Sequence, residues 1–292
     1  MTRVGVVGAG LMGAEIALVF ALGGLEVVMT DLNDDALQRA MTRLAALLDK
    51  GAARGLYTAD QGRDALARIR PSANLSDLAD RELVSEAVFE SLEAKQAVLR
   101  SLDGICRPDC VLASNTSTLP ISTLGAALAP ARRGVFLGTH YFSPASRMQL
   151  VEVIPGFDTD PGVVTRIGEL LRSVGKAPVV VKDVAGFAVN RLLHAMLIEA
   201  VKLVEEGVAS PEDIDAACRL GLGHPIGPFA LMDAVTSDLC LQVQDILHDA
   251  YGERFRPPAL LKQRVAAGYG GGRGRPGWTG GKREPSNGDS QA

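Results

Sequence analysis

The stretch Val4–Gly13, which reads VGVVGAGLMG, restricts the fold of this chain more than any other part of the sequence. Its valines predict a short buried parallel strand, and the apolar residues that follow predict a helix over 14–22. The turn between strand and helix has a G-x-G-x-x-G pattern formed by Gly8, Gly10 and Gly13. Glycine there allows a tight turn, close approach of backbone amides to a pyrophosphate, and close packing of helix on strand. The stretch predicts a dinucleotide-binding unit, with Leu11 and Met12 among the cofactor-binding residues.

A carboxylate beyond this turn indicates which dinucleotide binds. The apolar run Glu26–Thr30 predicts a second strand, and Asp31 follows it about 20 residues after the glycines. A carboxylate in that place holds the ribose hydroxyls of NAD and repels the 2′-phosphate of NADP, and none of the next four residues is an arginine. We therefore expect NAD, preferred over NADP by at least about tenfold. An ordinary strand-turn-helix with a surface aspartate is the alternative interpretation.

Composition argues against several other classes of protein. The net charge of −4 gives no reason to expect binding to nucleic acid or to an anionic membrane, and aromatic residues make up only 4%. No apolar run reaches the roughly 18–20 residues that span a bilayer, and we expect no signal peptide. Four cysteines show no zinc spacing, and we expect no metal. Cys106 and Cys110 are spaced as a redox pair would be, but scattered reduced thiols in a cytoplasmic protein are the expectation.

Strand and helix patterns alternate along the first 183 residues. Further strands are predicted at 83–88, 111–114, 134–139, 150–154 and 177–181. A helical hairpin is predicted over 35–66, where Thr58 and Gln61 form a capping-box pattern. Alternation of this kind predicts an α/β fold with a Rossmann-type doubly wound sheet, here an NAD-binding domain at residues 1–183 with the hairpin as an insertion.

Only helical patterns follow from residue 184 onward. They predict an all-helical C-terminal domain over 184–267. We expect this domain to serve substrate binding and dimerisation. The helix over Phe187–Glu206 is apolar nearly all round, and a homodimer is the simplest way to cover it. From Gly268 the chain is rich in glycine and then polar, which predicts a disordered tail over 268–292.

Polar residues are predicted where strands of the first domain end, the place where such sheets bind ligands. Ser114–Ser117 (SNTS) follows one strand, His140 follows another, and Glu152 lies within the apolar strand LVEVI. A histidine suits general acid–base chemistry on an alcohol, and a carboxylate in an apolar strand needs a partner. Spacing alone leaves open whether His140 and Glu152 are a catalytic or a merely structural pair, and Asn190 is equally ambiguous.

Seven motifs occur in the order of one family. They are GAGLMG with Asp31, EAVFE–K at 86–95, SNTS at 114–117, HYFSP at 140–144, LVEV at 150–153, GFAVNRLL at 186–193 and EDIDAACRLGLGHPIGPFALMD at 212–233. With these motifs the chain resembles the L-3-hydroxyacyl-CoA dehydrogenases of the 3-hydroxybutyryl-CoA dehydrogenase type, over about residues 3–267.

The resemblance implies NAD-dependent oxidation of a 3-hydroxyacyl thioester to the 3-oxoacyl thioester. It implies that His140 is the general base and Glu152 its partner, and that Ser117 and Asn190 bind the oxygen at C3. Further cofactor-binding residues implied by the resemblance are Glu90, Lys95 and Asn115.

Three departures from the family bear on the substrate. Ser143 stands where the family mostly has asparagine, and the usual aromatic C-terminal ending is replaced by a glycine-rich one with only Trp278. The hairpin, which contacts CoA in the family, carries few cations: Arg39, Arg43, Lys50 and Arg54. We expect an acyl-CoA substrate contacted by Ser143, Arg43 and Lys50. An acyl group on an acyl carrier protein is one alternative, and a non-catalytic partner-binding protein that keeps the cofactor site is another.

Overall fold

The computed structural model describes residues 1–279, which fold into two compact units. The first unit comprises Met1–Val184 and the second begins at Ala185. The first is built on a sheet with helices around it, and the second is helical in its described part.

The sheet of the first unit has eight strands. In chain order they are β1 (Arg3–Val7), β2 (Glu26–Thr30), β3 (Ile69–Ser72), β4 (Leu83–Glu86), β5 (Val111–Ser114), β6 (Phe136–Tyr141), β7 (Leu150–Pro155) and β8 (Ala177–Val180). They lie in the order β3-β2-β1-β4-β5-β6-β7-β8, and all neighbours pair in parallel except β6 and β7. The chain reverses its direction across the sheet after β3, which is the arrangement of a doubly wound sheet. The predicted Rossmann-type fold is confirmed.

Helices connect these strands. They are α1 (Leu11–Leu22), α2 (Asp34–Ala53), α3 (Ala59–Ala67), α4 (Leu92–Ile105), α5 (Ile121–Gly125), α6 (Pro130–Arg133) and α7 (Pro161–Ser173). Helix α1 is buried along most of its length, and the hairpin formed by α2 and α3 packs against it. The predicted capping box is present at the start of α3, where Gln61 N donates to Thr58 Oγ1 over 3.1 Å and Thr58 N donates to Gln61 Oε1 over 2.8 Å.

Several strands differ from the prediction, and β4, for example, ends at Glu86 rather than at residue 88. The sequence does not predict β3, because Arg70 and Pro71 interrupt its short apolar pattern. Both lie exposed in the strand at the edge of the sheet, where proline is tolerated. Strand β6 continues two residues beyond the predicted end at 139, because its antiparallel ladder with β7 includes His140 and Tyr141. His140 therefore lies within a strand rather than after one.

The second unit consists of helices around an apolar core. They are α8 (Val189–Glu205), α9 (Pro211–Gly221), α10 (Pro228–Val235), α11 (Ser237–Tyr251) and α12 (Ala259–Ala266). The residue before helix α10, its N-cap Gly227, has no side chain that could cap the helix. The buried carboxylate of Asp215 replaces that cap by accepting from Phe229 N and Ala230 N at 2.8 and 2.9 Å.

The predicted disordered tail is wrong for residues 268–279. Trp278 is only 5% exposed, and its indole N–H donates to Ser237 Oγ over 2.9 Å. The carboxylate of Asp233 accepts from the backbone amides of Trp278 and Thr279. The glycines here form turns: Gly271 has a φ of 69°, and a Cβ on it would lie 2.8 Å from the Cα of Asp233. The rest of the predicted tail, residues 280–292, lies outside the described part of the chain.

Other predictions concern membranes, metals and thiols. No helix within residues 1–279 is long and apolar enough to cross a bilayer. Over the same residues, no three side chains of the metal-binding types are grouped so that they could hold an ion. Cys106, Cys110, Cys218 and Cys240 form no disulfide.

A buried histidine in the second unit predicts a pH-dependent stability. Burial lowers the pKa of His194 to about 4 from its ordinary 6.5, and among the described residues its Nδ1 has no hydrogen-bond partner. Below pH 6.5 the imidazole of His194 therefore binds a proton in the unfolded chain, whereas in the folded chain it is protonated only near pH 4. As the pH falls from about 6.5 to about 4, the free energy of unfolding should therefore decrease, by about 3 kcal/mol at most for a pKa shift of this size.

Urea unfolding of the wild type and of His194→Leu, measured between pH 7 and pH 4, checks this expectation. The wild type should lose stability relative to the variant as the pH falls, while His224→Leu, at a histidine that is not buried, should follow the wild type. If His194→Leu and wild type lost stability in parallel, the histidine would not be the source of the effect.

Candidate active site

The three glycines of the turn after β1 occupy different surroundings. Gly8 has a φ of 100°, and a Cβ there would lie 2.6 Å from Ala87 O. A Cβ on Gly13 would lie 1.8 Å from Gly8 O, which is closer than any real contact. A Cβ on Gly10 would meet nothing within 4 Å. Gly8 and Gly13 are therefore required by the turn itself, whereas Gly10 faces an open space that a ligand can enter.

The start of α1 fits the pyrophosphate of NAD. Gly10 is the N-cap and offers no side-chain hydrogen bond, so the amides of the first turn, including those of Leu11 and Met12, have no partner within the helix. Leu11 is 53% exposed, and the positive end of the helix dipole is accessible there. Asp31 lies beside the turn, because its Oδ2 accepts from Ala9 N over 2.8 Å. A helix end whose amides can donate to a pyrophosphate, next to a carboxylate that can accept from ribose hydroxyls, is the combination that a dinucleotide needs.

Arg43 is placed differently from its expected position among the CoA-binding cations of the hairpin. Its Nη2 donates to Gly10 O over 2.9 Å and lies 3.4 Å from Ala9 O. The guanidinium therefore lies on the glycine turn, 33 residues away in sequence, a contact that hairpin periodicity does not reveal. Lys50 is exposed in the last turn of α2.

A buried ion pair connects the ends of β4 and β5 with α4. The ammonium of Lys95 lies 2.9 Å from Glu86 Oε1, with side-chain exposures of 1% and 0%. Glu86 Oε2 accepts from Ser114 Oγ over 2.6 Å, and Glu86 Oε1 also accepts from Val88 N. Sequence reasoning missed Glu86, although it carries the same signal as Glu152: a carboxylate within an apolar strand.

Glu90 organises the loop that follows β5. Its Oε1 accepts from Thr116 Oγ1 over 2.6 Å, from Ser117 N over 2.9 Å and from Thr118 N over 3.1 Å. Its other oxygen lies 3.2 Å from Lys95 Nζ. Burial opposes ionisation, but the charge of Lys95 and the hydrogen bonds from Thr116 and Ser117 outweigh it and lower the pKa of Glu90. Ser117, whose Oγ lies 3.4 Å from the carboxylate, is thereby brought together with Lys95 and Glu90.

Asn115 ties this loop to the next strand. Its Oδ1 accepts from Tyr141 N over 2.9 Å, and its own N–H donates to Glu86 O. The end of β5 is therefore fixed against the end of β6, one residue from His140. Ser143 follows in the loop after β6, where it is exposed.

His140 and Glu152 form a buried pair at the same end of the sheet. They lie directly opposite each other in the antiparallel ladder of β6 and β7, and this register puts both side chains on one face. His140 Nδ1 lies 2.8 Å from Glu152 Oε2, and the two residues are 6% and 1% exposed. Since a carboxylate accepts, Nδ1 carries the proton and the lone pair of the neutral imidazole is on Nε2. This arrangement is chemically able to take up a proton at Nε2.

Asn190, the remaining predicted site residue, belongs to the second unit. It is the second residue of α8, and the helix begins at Val189 after a residue, Ala188, that offers no side-chain cap. The motif GFAVNRLL thus forms the entry to a long helix. Phe187 in that entry has a φ of 44°, next to Gly186 with a φ of 70°.

Family models match both units of the chain. The model for the 3-hydroxyacyl-CoA dehydrogenase NAD binding domain matches residues 3–184, and the model for the C-terminal domain of that family matches residues 186–279. A probable 3-hydroxybutyryl-CoA dehydrogenase of Deinococcus radiodurans is 40% identical over 267 residues, which cover 91% of this chain and 95% of the relative. A 3-hydroxybutyryl-CoA dehydrogenase of Bradyrhizobium diazoefficiens is 38% identical and covers 91% of each chain.

A solved structure agrees with these relatives. The crystal structure of (S)-3-hydroxybutyryl-CoA dehydrogenase from Ralstonia eutropha superposes with a TM-score of 0.90 at 40% identity, covering 94% of this chain and 98% of that one. Sheet order, glycine turn and both matched domains point the same way. The chain belongs to the 3-hydroxyacyl-CoA dehydrogenase family of NAD-dependent oxidoreductases.

Proposed function

We propose that this chain interconverts a 3-hydroxyacyl-CoA, of the 3-hydroxybutyryl-CoA kind, and its 3-oxoacyl form. The observation that carries the proposal is the buried His140–Glu152 pair, in a chain that has the dinucleotide turn of this family. NAD, when bound, supplies the acceptor for the hydride that leaves C3. The chain itself must bind the alcohol, remove its proton and stabilise the charge that results.

His140 is the general base of this proposal. Its Nε2 accepts the hydroxyl proton, and the carboxylate of Glu152 at Nδ1 stabilises the imidazolium that forms. The same contact fixes the tautomer and the orientation of the ring. A positioned general base contributes typically about 10²–10⁴-fold to the rate.

Ser117 and Asn190 orient the substrate oxygen in this proposal. Support for Ser117 is its fixed place in the loop held by Glu90, where its amide donates over 2.9 Å. Support for Asn190 is its position in the VNR segment that this chain shares with the family. Glu90, Lys95 and Asn115 are proposed to form the nicotinamide end of the cofactor site. Glu86 connects them, because Lys95 pairs with both Glu86 and Glu90, and the backbone N–H of Asn115 donates to Glu86 O.

CoA is the proposed carrier of the acyl group. The relatives described above are CoA enzymes by name, which supports this choice. Of the four hairpin cations named from the sequence, Arg43 lies on the glycine turn, whereas Arg39, Lys50 and Arg54 are exposed and can meet the phosphates of CoA. We propose Lys50 as one phosphate contact, and Ser143 as a residue near the acyl end.

The carrier is tested by comparing kcat/KM for one 3-oxoacyl group on CoA, on pantetheine and on an acyl carrier protein. We expect CoA to exceed pantetheine about tenfold, since hydrogen bonds to charged groups contribute about 1.5–3 kcal/mol. Lys50→Ala should lower kcat/KM for CoA and leave that for pantetheine unchanged. Arg63→Ala is the matched control, because Arg63 pairs with Asp60 on α3. Equal values for CoA and pantetheine would contradict recognition of the nucleotide, and a higher value for the carrier protein would replace CoA as the substrate.

A homodimer through the second unit is also proposed. Leu192, Leu220 and Leu222 are 74%, 87% and 68% exposed, and large apolar side chains left in water favour association. The cytoplasm as the compartment stays a prediction from the sequence.

A further inference from the structure

Arg43 links helix α2 to the glycine turn. Its Nη2 contacts two successive carbonyl oxygens of the turn, at 2.9 Å from Gly10 O and 3.4 Å from Ala9 O. The side chain is only half-buried, and among the described residues its Nη1 has no hydrogen-bond partner, whereas its Nε is buried. Only part of the donor capacity of this guanidinium is therefore used by the protein.

Asp31 contacts the same residue of the turn, Ala9, at its backbone amide. Its Oδ2 accepts from Ala9 N over 2.8 Å, while Arg43 lies at Ala9 O. Among residues 1–279 no ion pair joins Asp31 to Arg43; the other oxygen of Asp31 accepts from Asn33 N over 3.1 Å. The carboxylate of Asp31 and the guanidinium of Arg43 thus contact the same residue, Ala9, and the guanidinium keeps N–H groups that make no hydrogen bond within the described residues.

The position of Asp31 relates this pair to the adenosine ribose of the cofactor. In dinucleotide-binding folds the acidic residue after the second strand binds the ribose 2′-hydroxyl, and a nearby arginine accommodates a 2′-phosphate. Residues 32–35 contain no arginine, so sequence reasoning assigns the site to NAD with no compensation for a phosphate. The fold supplies the missing cation from the third turn of α2.

We propose that Arg43 sets how strongly the cofactor site discriminates against a 2′-phosphorylated adenosine. Asp31 repels the phosphate, and the guanidinium of Arg43 attracts it and donates to its oxygens. The site therefore prefers NAD and retains measurable affinity for NADP. This inference rests on the proposed use of NAD but not on turnover, so binding alone tests it.

The experiment measures dissociation constants of 5′-AMP, 2′,5′-ADP, NADH and NADPH by calorimetry on the wild-type protein and on Arg43→Ala. The wild type should bind NADH at least about tenfold more tightly than NADPH. Arg43→Ala should weaken 2′,5′-ADP and NADPH by about tenfold, the value of a charged hydrogen bond, and change 5′-AMP and NADH by less than about twofold. Arg43→Lys should restore part of the affinity for the 2′-phosphate.

Arg63→Ala is the matched control, because Arg63 is an exposed cation of the same hairpin and pairs with Asp60. It should leave the ratio of the 2′,5′-ADP and 5′-AMP constants unchanged. Equal weakening of 5′-AMP and 2′,5′-ADP by Arg43→Ala would overturn the proposal and assign the guanidinium to a phosphate common to both. Unchanged dissociation constants for both ligands would also overturn the proposal, and would mean that Arg43 only stabilises the glycine turn. If Arg43→Ala failed to fold, Arg43→Lys and Arg43→Gln would decide: the dissociation constant of 2′,5′-ADP relative to that of 5′-AMP should rise more in Arg43→Gln than in Arg43→Lys, and equal ratios in both would overturn the proposal.

Discussion

His140→Ala is expected to lower kcat by about 10²–10⁴-fold, the usual contribution of a general base, while the dissociation constant for NADH stays within about twofold. The histidine lies in β6 against Glu152, whereas the pyrophosphate is expected at the glycine turn after β1. Steady-state rates give kcat, and quenching of protein fluorescence by NADH gives the affinity. Retention of more than about a tenth of the wild-type kcat would contradict a role for His140 as the base.

Glu152→Gln separates the charge of the partner from its hydrogen bond. The amide oxygen of glutamine can still accept from His140 Nδ1, but it does not stabilise an imidazolium. We expect a lower kcat and an altered pH profile of kcat/KM, with thermal unfolding measured beside them to report any loss of the fold. An unchanged pH profile with only a lower melting temperature would make Glu152 a structural residue. His248→Gln, outside this pair, is the control and should keep both the rate and the profile.

Gly10→Ala is expected to weaken cofactor binding and to leave stability nearly unchanged, whereas Gly13→Ala is expected to lower stability. Gly10→Ala adds a methyl group to open space, so the free energy of unfolding should change by less than about 1 kcal/mol. The same methyl group occupies the approach of the pyrophosphate, so the affinity for NADH should fall about 10–100-fold, as expected for an overpacked contact. Gly13→Ala places its methyl group against Gly8 O and should destabilise the fold by about 3 kcal/mol or more.

The second of these results runs against helix propensity, since alanine inside a helix is ordinarily more stable than glycine. Chemical denaturation and NADH titration of the two variants measure both quantities. If Gly10→Ala bound NADH as tightly as the wild type, the cofactor would not approach the open side of the turn. If Gly13→Ala were as stable as the wild type, the close packing of α1 on the turn would not be required.

Much of the fold follows from local sequence patterns. The valines of β1, the glycines after it and the apolar run of β2 predict the first parallel pair and the site at its end, because strand, turn and helix signals coincide there. β3 is missed because an edge strand of four residues with Arg70 and Pro71 has no apolar alternation to detect. Residues 268–279 are misjudged because glycine-rich composition describes a tight turn as well as disorder, and the burial of Trp278 becomes visible only in the fold.

The candidate site is predictable in its residue types and less so in its contacts. Sequence spacing cannot show that β6 and β7 are antiparallel, yet this register alone sets His140 opposite Glu152. The buried pair of Glu86 and Lys95 and the reach of Arg43 to the turn are contacts between elements distant in sequence. Such contacts depend on packing, which the periodicity of a single element does not report.

Turnover of 3-hydroxybutyryl-CoA with NAD by the wild-type protein tests the central claim most directly. NADH formation is followed by absorbance, and the thioester product is identified by mass spectrometry. We expect one NADH for each 3-oxoacyl-CoA formed, and no formation of either by His140→Ala beyond the residual rate given above. A wild-type protein that binds NADH and the CoA thioester but produces neither NADH nor 3-oxoacyl-CoA would contradict the account, and would mean that the chain keeps the cofactor site without the catalysis.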